Sequence, residues 1–574
     1  MWKKWVAALL CLGLLSCCLT ACGKREKALF LPIDAIATSC DPQIAQGDGL
    51  ESIANNAFEG LVRTDRSGRI LPAAASRWTI SPDGFTYTFF LDPDQHWHLT
   101  DNMDPTLGEH YQSTFDTSVT ADDFVFALQR AVSKGTQAPY AVSLFGIRNA
   151  QEIFLGEKKA SELGVSAAGP HTLKIELSRP DANFLRTLST PVCMPCNRQF
   201  FQGTNGRYCL SGDLALCNGP YYLSSINTTA GTVLLKKNPD YKGDFKPLSD
   251  TLKFVLAKDL GGTSEEETHL GTSSSDATTQ DILTSLKSEG GLSAGVVAET
   301  ETGTLGKQYE VTPYPNKVKV LGFNQKSHLS GNGNFRVAMA AATDPSKINF
   351  TIGNPAKGII PECTDTTSGH PYRQRAGNVV SKPDLNHALQ AWNAARGTVV
   401  DENGDVISDD DDTTYPVSLY CLTEDRSDAQ ALVQNWQKVF GTALSVTITS
   451  FDQQNELDAA LAKGEFDVAY TTLTAYDSIA SDFLERFCSD STDNFLSLED
   501  AAFDQLVAAA NSAQTDNDIA TGCKQAEQYL ISRGYLIPVR ADTSCLVTRR
   551  SSRDIFVSPA GCLYSVYQAP SSED

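Results

Sequence analysis

Positive charge is scarce in this sequence. Across 574 residues, 47 lysines and arginines stand against 69 aspartates and glutamates, which gives a formal net charge of −22. A field of this sign repels phosphate backbones and anionic lipid surfaces, so the composition argues against nucleic acid as a partner. The length exceeds the size at which one hydrophobic core keeps growing, and we therefore expect two or three lobes.

Long hydrophobic runs are also missing beyond the amino terminus, where no later stretch approaches the roughly 20 apolar residues of a membrane span. At the amino terminus, two lysines precede an apolar stretch from Trp5 to Leu15. This pattern predicts a secretory signal peptide over residues 1–21, because the stretch is too short to stay in a membrane. The sequence LTAC that ends at Cys22 resembles a bacterial lipobox, in which the cysteine becomes the lipidated first residue. Residues 22–27 would be a polar tether; a plain cleaved signal or an uncleaved anchor is the alternative.

Signatures of catalysis are lacking as well. No phosphate-binding loop, dinucleotide motif or paired-carboxylate pattern is present, and the eight histidines are scattered. GLSAG at 291–295 has the spacing of a serine-hydrolase elbow, which makes Ser293 a formal nucleophile candidate. That elbow needs an apolar strand before it and a helix after it, whereas SLKSEG before it is polar and helix-like. We expect a non-enzymatic protein without a cofactor; a secreted hydrolase that uses Ser293 is the alternative.

Cysteine, by contrast, is abundant, with fifteen residues, four of which belong to the signal region. The eleven that remain are an odd number, so outside the cytoplasm at least one is an unpaired thiol or forms an intermolecular bond. Cys193 and Cys196 form a C-x-x-C pair, but Cys209 and Cys217 are too widely spaced for a zinc site. No thioredoxin-like helix start accompanies the pair either. Structural disulfides or buried thiols are favoured, with metal binding as the alternative.

Two segments are candidates for metal binding. Acidic and amide residues fall at ligand positions of a calcium loop, namely Asp401, Asn403, Asp405, Asp409 and Asp412. Val406 stands where the loop requires glycine, so a solvated acidic loop is favoured over a calcium-binding scaffold. His96 and His98 flank Trp97 and lie on one face if the segment is extended, although no carboxylate is fixed beside them in the sequence.

Hydrophobic periodicity places several elements. TYTFFL at 86–91 alternates as a strand does, and so does the segment 173–177. Thr120 with Asp123 approaches a capping box, and the apolar residues that follow at helical spacing are Phe124, Ala127, Leu128 and Ala131. These patterns predict a mixed α/β protein.

The segment 415–473 gives the fold class. A strand at 415–422 precedes a helix that ends at Gly441, and its shared apolar face comprises Ala429, Leu432, Val433, Trp436 and Phe440. A second strand around 446–448, a short helix at 453–463 and a third strand at 466–473 follow. Strand–helix alternation at this spacing predicts parallel α/β units, with a ligand crevice outside the carboxyl ends of the strands.

These segments, in their order, resemble the oligopeptide- and dipeptide-binding proteins of ABC importers, which are family 5 of the extracellular solute-binding proteins. The resemblance rests on about a dozen short motifs, including Asp41-Pro42, NAFEGLV at 56–62, VTADDFVFALQRA at 119–131, QAPYA at 137–141, NGPY at 218–221, KNPDY at 237–241, LGFN at 321–324, RVAMAAATDPSKI at 336–348 and AEQYLISRGYLIPVR at 526–540. Together they cover nearly the whole chain after the signal peptide.

The resemblance implies an α/β, two-lobed periplasmic-binding-protein-like fold of type II, with an additional domain on the first lobe. The base lobe would comprise 28–65, 190–312 and 538–574, the additional domain 66–189, and the far lobe 313–537. The chain would cross between the lobes near 315–320 and near 538.

The resemblance also implies the function. We expect an extracytoplasmic receptor, anchored to the outer face of the cytoplasmic membrane by lipid on Cys22, that binds short peptides between its lobes. It would deliver them to ABC permease subunits in the membrane and would act as a monomer. A dipeptide, nickel, haem or signalling-peptide specificity is the alternative within the same fold.

One departure from the family concerns the ligand site. Oligopeptide binders carry a far-lobe aspartate that captures the ligand's free amine, and here its position falls on Tyr476, with Asp477 adjacent. We therefore predict Asp477 as the amine-binding residue, against the alternative of a surface aspartate beside a strand end. Tyr140 is a second ligand-binding candidate by its match to the family's PY motif, against the alternative of core packing.

Overall fold

The computed structural model describes residues 28–33, 37–65, 69–100, 103–104, 107, 115–181, 183–256, 279–288, 290–348, 350, 353–366, 370–396, 398, 413–452, 454–475, 479–491, 493–513, 515–552, 555–558 and 564–568. Cys22 and the signal region, the acidic segment 401–412 and the pair Tyr476 and Asp477 lie outside the described residues. Within the part that is described, no helix combines the length and the apolar character that crossing a membrane requires.

The described α-helices are α1 (Asp48–Ala57), α2 (Ala121–Ala131), α3 (Ala150–Leu155), α4 (Phe184–Thr187), α5 (Arg198–Gly203), α6 (Thr279–Lys287), α7 (Gly333–Ala342), α8 (Tyr372–Ala376), α9 (Leu385–Ala395), α10 (Arg426–Phe440), α11 (Gln454–Lys463), α12 (Ala480–Glu485), α13 (Ala501–Asn511) and α14 (Asp516–Ser532).

The described strands are β1 (Ala28–Ile33), β2 (Val62–Thr64), β3 (Ile70–Pro72), β4 (Ala75–Ile80), β5 (Thr86–Leu91), β6 (Val165–Gly169), β7 (Thr172–Glu176), β8 (Tyr221–Asn227), β9 (Thr232–Lys237), β10 (Lys246–Pro247), β11 (Thr251–Leu256), β12 (Ala294–Ala298), β13 (Tyr309–Phe323), β14 (Asn354–Pro355), β15 (Tyr415–Leu422), β16 (Leu444–Phe451), β17 (Val468–Thr474), β18 (Leu536–Arg549), β19 (Phe556–Val557), β20 (Tyr564–Ser565) and β21 (Tyr567–Gln568).

Three larger sheets organise these strands. The first has the order β1-β11-β9-β8, with β1 and β11 parallel, and the second is the antiparallel sheet β4-β5-β7-β6. The third runs β12-β18-β13-β17-β15-β16, with β14 paired to β18. In it β15 is parallel to both β16 and β17, which confirms the parallel α/β unit predicted for 415–473.

The buried side chains form separate cores. The first core joins side chains between Leu29 and Leu256 to a few from the carboxyl end, such as Leu546 and Val566. The second core gathers α8, α12, α13 and α14, and the third gathers α7, α9 and α10. The second and third cores share the strands β13 and β17, because alternate side chains of a strand point to opposite faces.

The helices form where sequence periodicity places them. The five apolar residues predicted to share a face of α10 are all buried, and Gly441 follows the helix with φ 67°, a conformation that glycine adopts at little cost. At α2, the Thr120 backbone N–H donates to Asp123 Oδ2 at 2.8 Å, and the predicted apolar face is buried. Both helices therefore follow from local rules, whereas their packing depends on distant residues.

One such distant contact joins the Asp41-Pro42 motif to the motif of helix α2. Arg130, at the carboxyl end of α2, donates from Nη2 to Asp41 and, at 2.7 Å, to Gln43 Oε1. All three side chains are buried. Burial raises the pKa of Asp41 and the Arg130 charge opposes this shift, so the Asp41-Pro42 turn and helix α2 form one buried charged unit.

A second long-range unit surrounds the turn after α1. The Asn218 side chain accepts from the Glu59 backbone N–H and donates to the Glu59 carbonyl, both at 2.9 Å. Gly219 packs so closely that an added Cβ would lie 2.7 Å from the backbone of Ala57 and Phe58. At Gly219 the backbone of the NGPY motif therefore packs directly on the backbone after α1, and no side chain would fit at this position.

Candidate functional site

Two long strands connect the first core to the second and third. In β13, Tyr309 lies in a small separate cluster and Tyr314 packs against the first core, whereas Val318 lies in the second core. The antiparallel partner β18 makes the same passage, from Val539 in the third core to Leu546 in the first. Their pairing shifts register between Tyr314 and Lys317. Since bulges kink and twist strands, this shift marks where the two halves of the molecule meet.

Buried charges lie on these crossing strands just beyond the register shift. Lys319 of β13 donates to Asp425, at the start of α10, and Arg540 of β18 donates to Asp428. Arg540 also binds Asp542 at 2.8 Å. Burial raises the pKa of Asp425, and the Lys319 ammonium acts against this shift. The network lies at the carboxyl end of β15, the edge at which α/β sheets bind ligands.

A polar contact joins the two halves away from the strands. Asn183, which precedes α4 of the first core, donates from Nδ2 to Ser481 Oγ and to Asp482 Oδ1, each at 2.7 Å. Asn183 and Ser481 are buried. Nearby, Arg179 and Glu485 form an exposed pair at 3.7 Å. The buried amide contact carries the energetic weight here, because exposed ion pairs contribute little.

Asp365 lies beside this contact, in a segment packed along the start of α12. Its carbonyl accepts the Ala480 backbone N–H at 3.1 Å, and its backbone pairs in parallel with Ile479. The residue is 7 % exposed. Burial raises the pKa of the Asp365 carboxyl to about 6, and the charges of Arg186 and His370 act in the opposite direction. Arg186 lies in α4, so its charge reaches Asp365 from the other half of the molecule.

Tyr476 and Asp477 lie outside the described residues, but the residues on either side are fixed. The Ala475 backbone N–H donates to the carbonyl of Asn316, inside the register shift, at 2.9 Å. On the other side, Ile479 pairs with Asp365. Ala475 therefore lies at the crossing strands, and Ile479 lies beside Asp365.

Tyr140 lies at the amino end of the short 3-10 helix Ala141–Leu144 and is 38 % exposed. This exposure disfavours the alternative that Tyr140 is a core-packing residue. Its role as a ligand contact stays a prediction.

The geometry around Ser293 is not that of a hydrolase elbow. Ser293 follows helix α6 and precedes strand β12, which reverses the strand-to-helix order of the elbow. Its Oγ accepts the Phe30 backbone N–H at 3.0 Å, and its own N–H donates to the Phe30 carbonyl at 2.8 Å. Ser293 is thus a buried link between β1 and β12.

No disulfide joins any two of the ten cysteines in the described part, and Cys562 lies outside it. Cys193 and Cys196 are buried, and burial raises the pKa of each thiol to about 12. A redox-active pair needs a lowered thiol pKa, so this C-x-x-C lacks the electrostatics of a catalytic dithiol. Buried thiols, one of the favoured readings of the sequence, are what the structure contains at these two positions.

The histidine candidates for metal binding separate in the structure. His98 Nδ1 binds Asp240 Oδ2 at 2.7 Å and its ring packs on Tyr222, with ring centroids 4.2 Å apart. His96 Nδ1 instead lies 3.3 Å from Thr117 Oγ1. Among the residues whose structure is described, no group of three or more His, Cys, Asp or Glu side chains is arranged to hold a metal ion. The calcium-loop candidates at 401–412 fall outside those residues.

Asn183 makes the contact between the two halves, and Asp365 and Arg186 lie beside it; the sequence predicts none of these three residues. Asp365 stands in the polar run TDTT, where no apolar period or motif distinguishes it. Asn183 and Arg186 follow Pro180 in a short irregular segment. A signal for these residues would require knowledge of which distant segments pack together.

Comparison with known proteins places this geometry in a family. A sequence model described as bacterial extracellular solute-binding proteins, family 5 Middle, matches residues 69–495. The periplasmic oligopeptide-binding protein OppA of Salmonella typhimurium is 24% identical over 506 residues, which are 87% of this chain and 84% of OppA. The dipeptide-binding protein DppE of Bacillus subtilis is 24% identical and covers 90% of this chain and 86% of its own.

Solved structures share the fold. The structure of Listeria monocytogenes OppA bound to peptide covers 96% of this chain and 100% of its own with a TM-score of 0.65 at 21% identity. The mixed α/β sheets, the two crossing strands and the separate cores are those of a two-lobed periplasmic-binding fold, which confirms the predicted fold class. The chain belongs to the bacterial extracellular solute-binding proteins of family 5.

Proposed function

We propose that this protein captures short peptides between its two lobes and hands them to an ABC importer. The observation that carries the proposal is the pair of crossing strands, β13 and β18, which join separate cores, together with the polar contact of Asn183 with Ser481 away from these strands. The relatives support it by name, since they are oligopeptide- and dipeptide-binding proteins.

The physical basis is differential binding. A ligand shifts the equilibrium between open and closed forms only by its preference for the closed form, which buries it between the lobes. A peptide offers regular backbone N–H and C=O groups, so the cleft can bind it as an added strand while the side chains occupy roomy pockets. Affinity then comes from the main chain, and selectivity for side chains stays loose.

The proposed lobes follow the family pattern. The base lobe comprises 28–65, 190–312 and 538–574, the far lobe comprises 313–537, and 66–189 forms the additional domain. The division is supported by the change of core along β13 between Tyr309 and Val318. It is supported also by the separate four-stranded sheet β4-β5-β7-β6, whose strands all come from the additional domain.

For the ligand site we propose Asp477 and Tyr476, with Tyr140 as a further contact. The contacts of the described neighbours, Ala475 with Asn316 and Ile479 with Asp365, support this proposal. For the location we propose lipid attachment at Cys22, which would hold a monomeric receptor at the outer face of the cytoplasmic membrane, close to its permease.

The experiment is a thermal-shift screen of the purified mature protein. Pools of short peptides of increasing length are compared with sugars, haem and salts of nickel and calcium. A ligand at about one hundred times its Kd stabilises the protein by about 2.7 kcal/mol, so peptide pools should raise the melting temperature and the other compounds should not. A shift with nickel or haem alone would reassign the ligand, and no shift with any peptide pool would overturn the proposal.

The competing hydrolase reading has its own measurement. A serine-directed fluorophosphonate probe should leave the protein unlabelled, because Ser293 Oγ is buried and accepts a backbone hydrogen bond. Labelling that disappears in S293A would instead support an enzyme.

A further inference from the structure

We propose that Asp365 receives a positively charged group of the ligand, either the ammonium at a peptide's amino terminus or the cation of a basic side chain. The inference rests on the proposed function, since it assigns a role within the same cleft between the lobes. It adds a residue that the family pattern of the 476–478 segment does not contain.

Asp365 is a buried residue whose carboxylate has no partner among the described residues. The residue is 7 % exposed, and among the described residues its side chain makes neither a hydrogen bond nor an ion pair. The other buried carboxylates discussed above all have partners: Asp41 binds Arg130, Asp425 binds Lys319 and Asp428 binds Arg540. Asp365 is therefore the exception in this group.

Hydrogen bonds of the surrounding backbone hold Asp365 in place. Its carbonyl binds the Ala480 N–H, and the residues on either side bind the following turn: Thr366 N–H donates to His370 O at 2.8 Å and Tyr372 N–H donates to Thr364 O at 2.9 Å. Because these bonds fix the backbone at Asp365 and on both sides of it, the residue loses little backbone freedom when a ligand binds.

Asp365 also lies close to the boundary between the two halves. Asp365 lies next to α12, whose Ser481 and Asp482 bind Asn183 of the other half. The charge of Arg186, in the first half, and the charge of His370, in the same half as Asp365, both act to lower the pKa of Asp365. A group bound at Asp365 is thus placed where the two halves meet, and it would be enclosed when they close.

The unpartnered Asp365 carboxylate also has an energetic cost that a cationic ligand would reduce. A carboxylate taken from water without a partner is costly, and the cost shows in its pKa, which burial raises to about 6. Arg186 forms no ion pair with Asp365, and His370 is itself bound to Asp516 at 2.8 Å. An incoming ammonium or guanidinium would supply the missing charge-assisted hydrogen bonds, and the acidic field of the whole chain, with its net charge of −22, favours its approach.

The test compares peptide capture by four proteins: the wild type, D365N, D477N and the control D490N, which changes an exposed aspartate between α12 and α13. Each is incubated with a random pentapeptide library in three forms: with free amino termini, with acetylated amino termini, and acetylated with lysine at the first position. Retained peptides are quantified by mass spectrometry. The two acetylated arms separate a terminal ammonium from a basic side chain.

The wild type and D490N should retain the free library, the acetylated lysine library or both at least tenfold better than the acetylated library. In D365N, the ratio of retained cationic library to retained acetylated library should fall close to one. Asparagine conserves volume, and thermal unfolding checks that D365N folds; D365S serves if it does not.

Three outcomes would overturn the inference while leaving the proposed function intact: an undiminished ratio in D365N, loss of the ratio in D477N alone, or no discrimination by the wild type among libraries that it does bind. Failure of the wild type to retain any library would instead overturn the proposed function, and the inference with it.

Discussion

The side-chain amide of Asn183 lies 2.7 Å from the hydroxyl of Ser481, and this hydrogen bond links the half of the molecule built on the first core to the half built on the second. The same amide donates to Asp482, so a single side chain makes two contacts across the boundary. Both contacts require the two halves to lie together as they do in this structure, so they stabilise this arrangement over one in which the halves separate.

Removal of this amide should favour the open form. N183A loses two hydrogen bonds that contribute about 1 kcal/mol each, so the affinity for a captured peptide should fall by roughly tenfold or somewhat more. Isothermal titration measures the affinity, and small-angle scattering should show a larger radius of gyration for unliganded N183A. The control is N227A, in which the lost amide oxygen bonds within its own exposed hairpin, to the Ala230 N–H. Equal affinities for N183A and the wild type would contradict the selective role of the contact.

Much of this architecture can be predicted from local pattern. The strands at 86–91 and 415–422 match β5 and β15, and the helix that ends at Gly441 matches α10, because each has a clear apolar period and an end signal. The parallel pairing of β15 with β16 and β17 follows from strand–helix alternation within one segment. Local order along the chain was sufficient for these elements.

The contacts between distant segments could not be predicted in this way. Asp41 and Arg130 are 89 residues apart, and Asn183 and Ser481 are 298 apart. Each partner taken alone looks like an ordinary polar residue of a turn or a helix end. No hydrophobic periodicity, helix-capping pattern or sequence motif marks Asp365. Its environment arises only when α4 and α12 are brought together. The family resemblance supplies the fold, but it places the amine-binding position at Tyr476 and Asp477 and says nothing of Asp365.

The charge network on the crossing strands should be sensitive to the loss of a single partner. Lys319 is 4 % exposed, and K319M leaves the buried carboxylate of Asp425 with a weaker partner, Arg540 at 3.5 Å. We expect a loss of about 3 kcal/mol in the free energy of unfolding, because an incompletely compensated buried charge is costly. Urea denaturation followed by tryptophan fluorescence measures the change.

The matched control for this substitution is K347M. Lys347 pairs with Asp344 at 3.0 Å, but its side chain is 67 % exposed, so its loss should cost less than about 1 kcal/mol. Similar costs for the two substitutions would show that burial does not decide the strength of the Lys319 contact.

The pH dependence of stability should report the state of Asp365 in the unliganded protein. Its carboxyl has a pKa of about 6 in the folded protein against 3.8 in the unfolded chain, so the folded state holds the proton more tightly. The stabilising contribution of that proton is complete below about pH 4 and is lost as the pH rises through 6. Relative to D365N, which does not titrate, the wild type should lose on the order of 1–2 kcal/mol between pH 4.5 and 7.5.

Urea midpoints of both proteins across this range test the prediction. The other titrating groups near the site, His370 with its partner Asp516, are common to both proteins and largely cancel in the difference. A difference between wild type and D365N that stays constant with pH would contradict the raised pKa of Asp365.

The buried thiols should resist modification in the folded protein. Burial raises the pKa of Cys193, Cys196 and Cys217 to about 12, against an ordinary value of 9.0, so the reactive thiolate fraction at pH 8 falls about 1,000-fold even before access is considered. Brief treatment with iodoacetamide, followed by peptide mass spectrometry, should leave these three sites unmodified. In denaturant the same sites should react fully, which also tests that they are thiols and not disulfides. Native labelling of Cys193 or Cys196 at the rate of a free thiol would contradict this burial, and it would reopen a chemical role for the C-x-x-C pair.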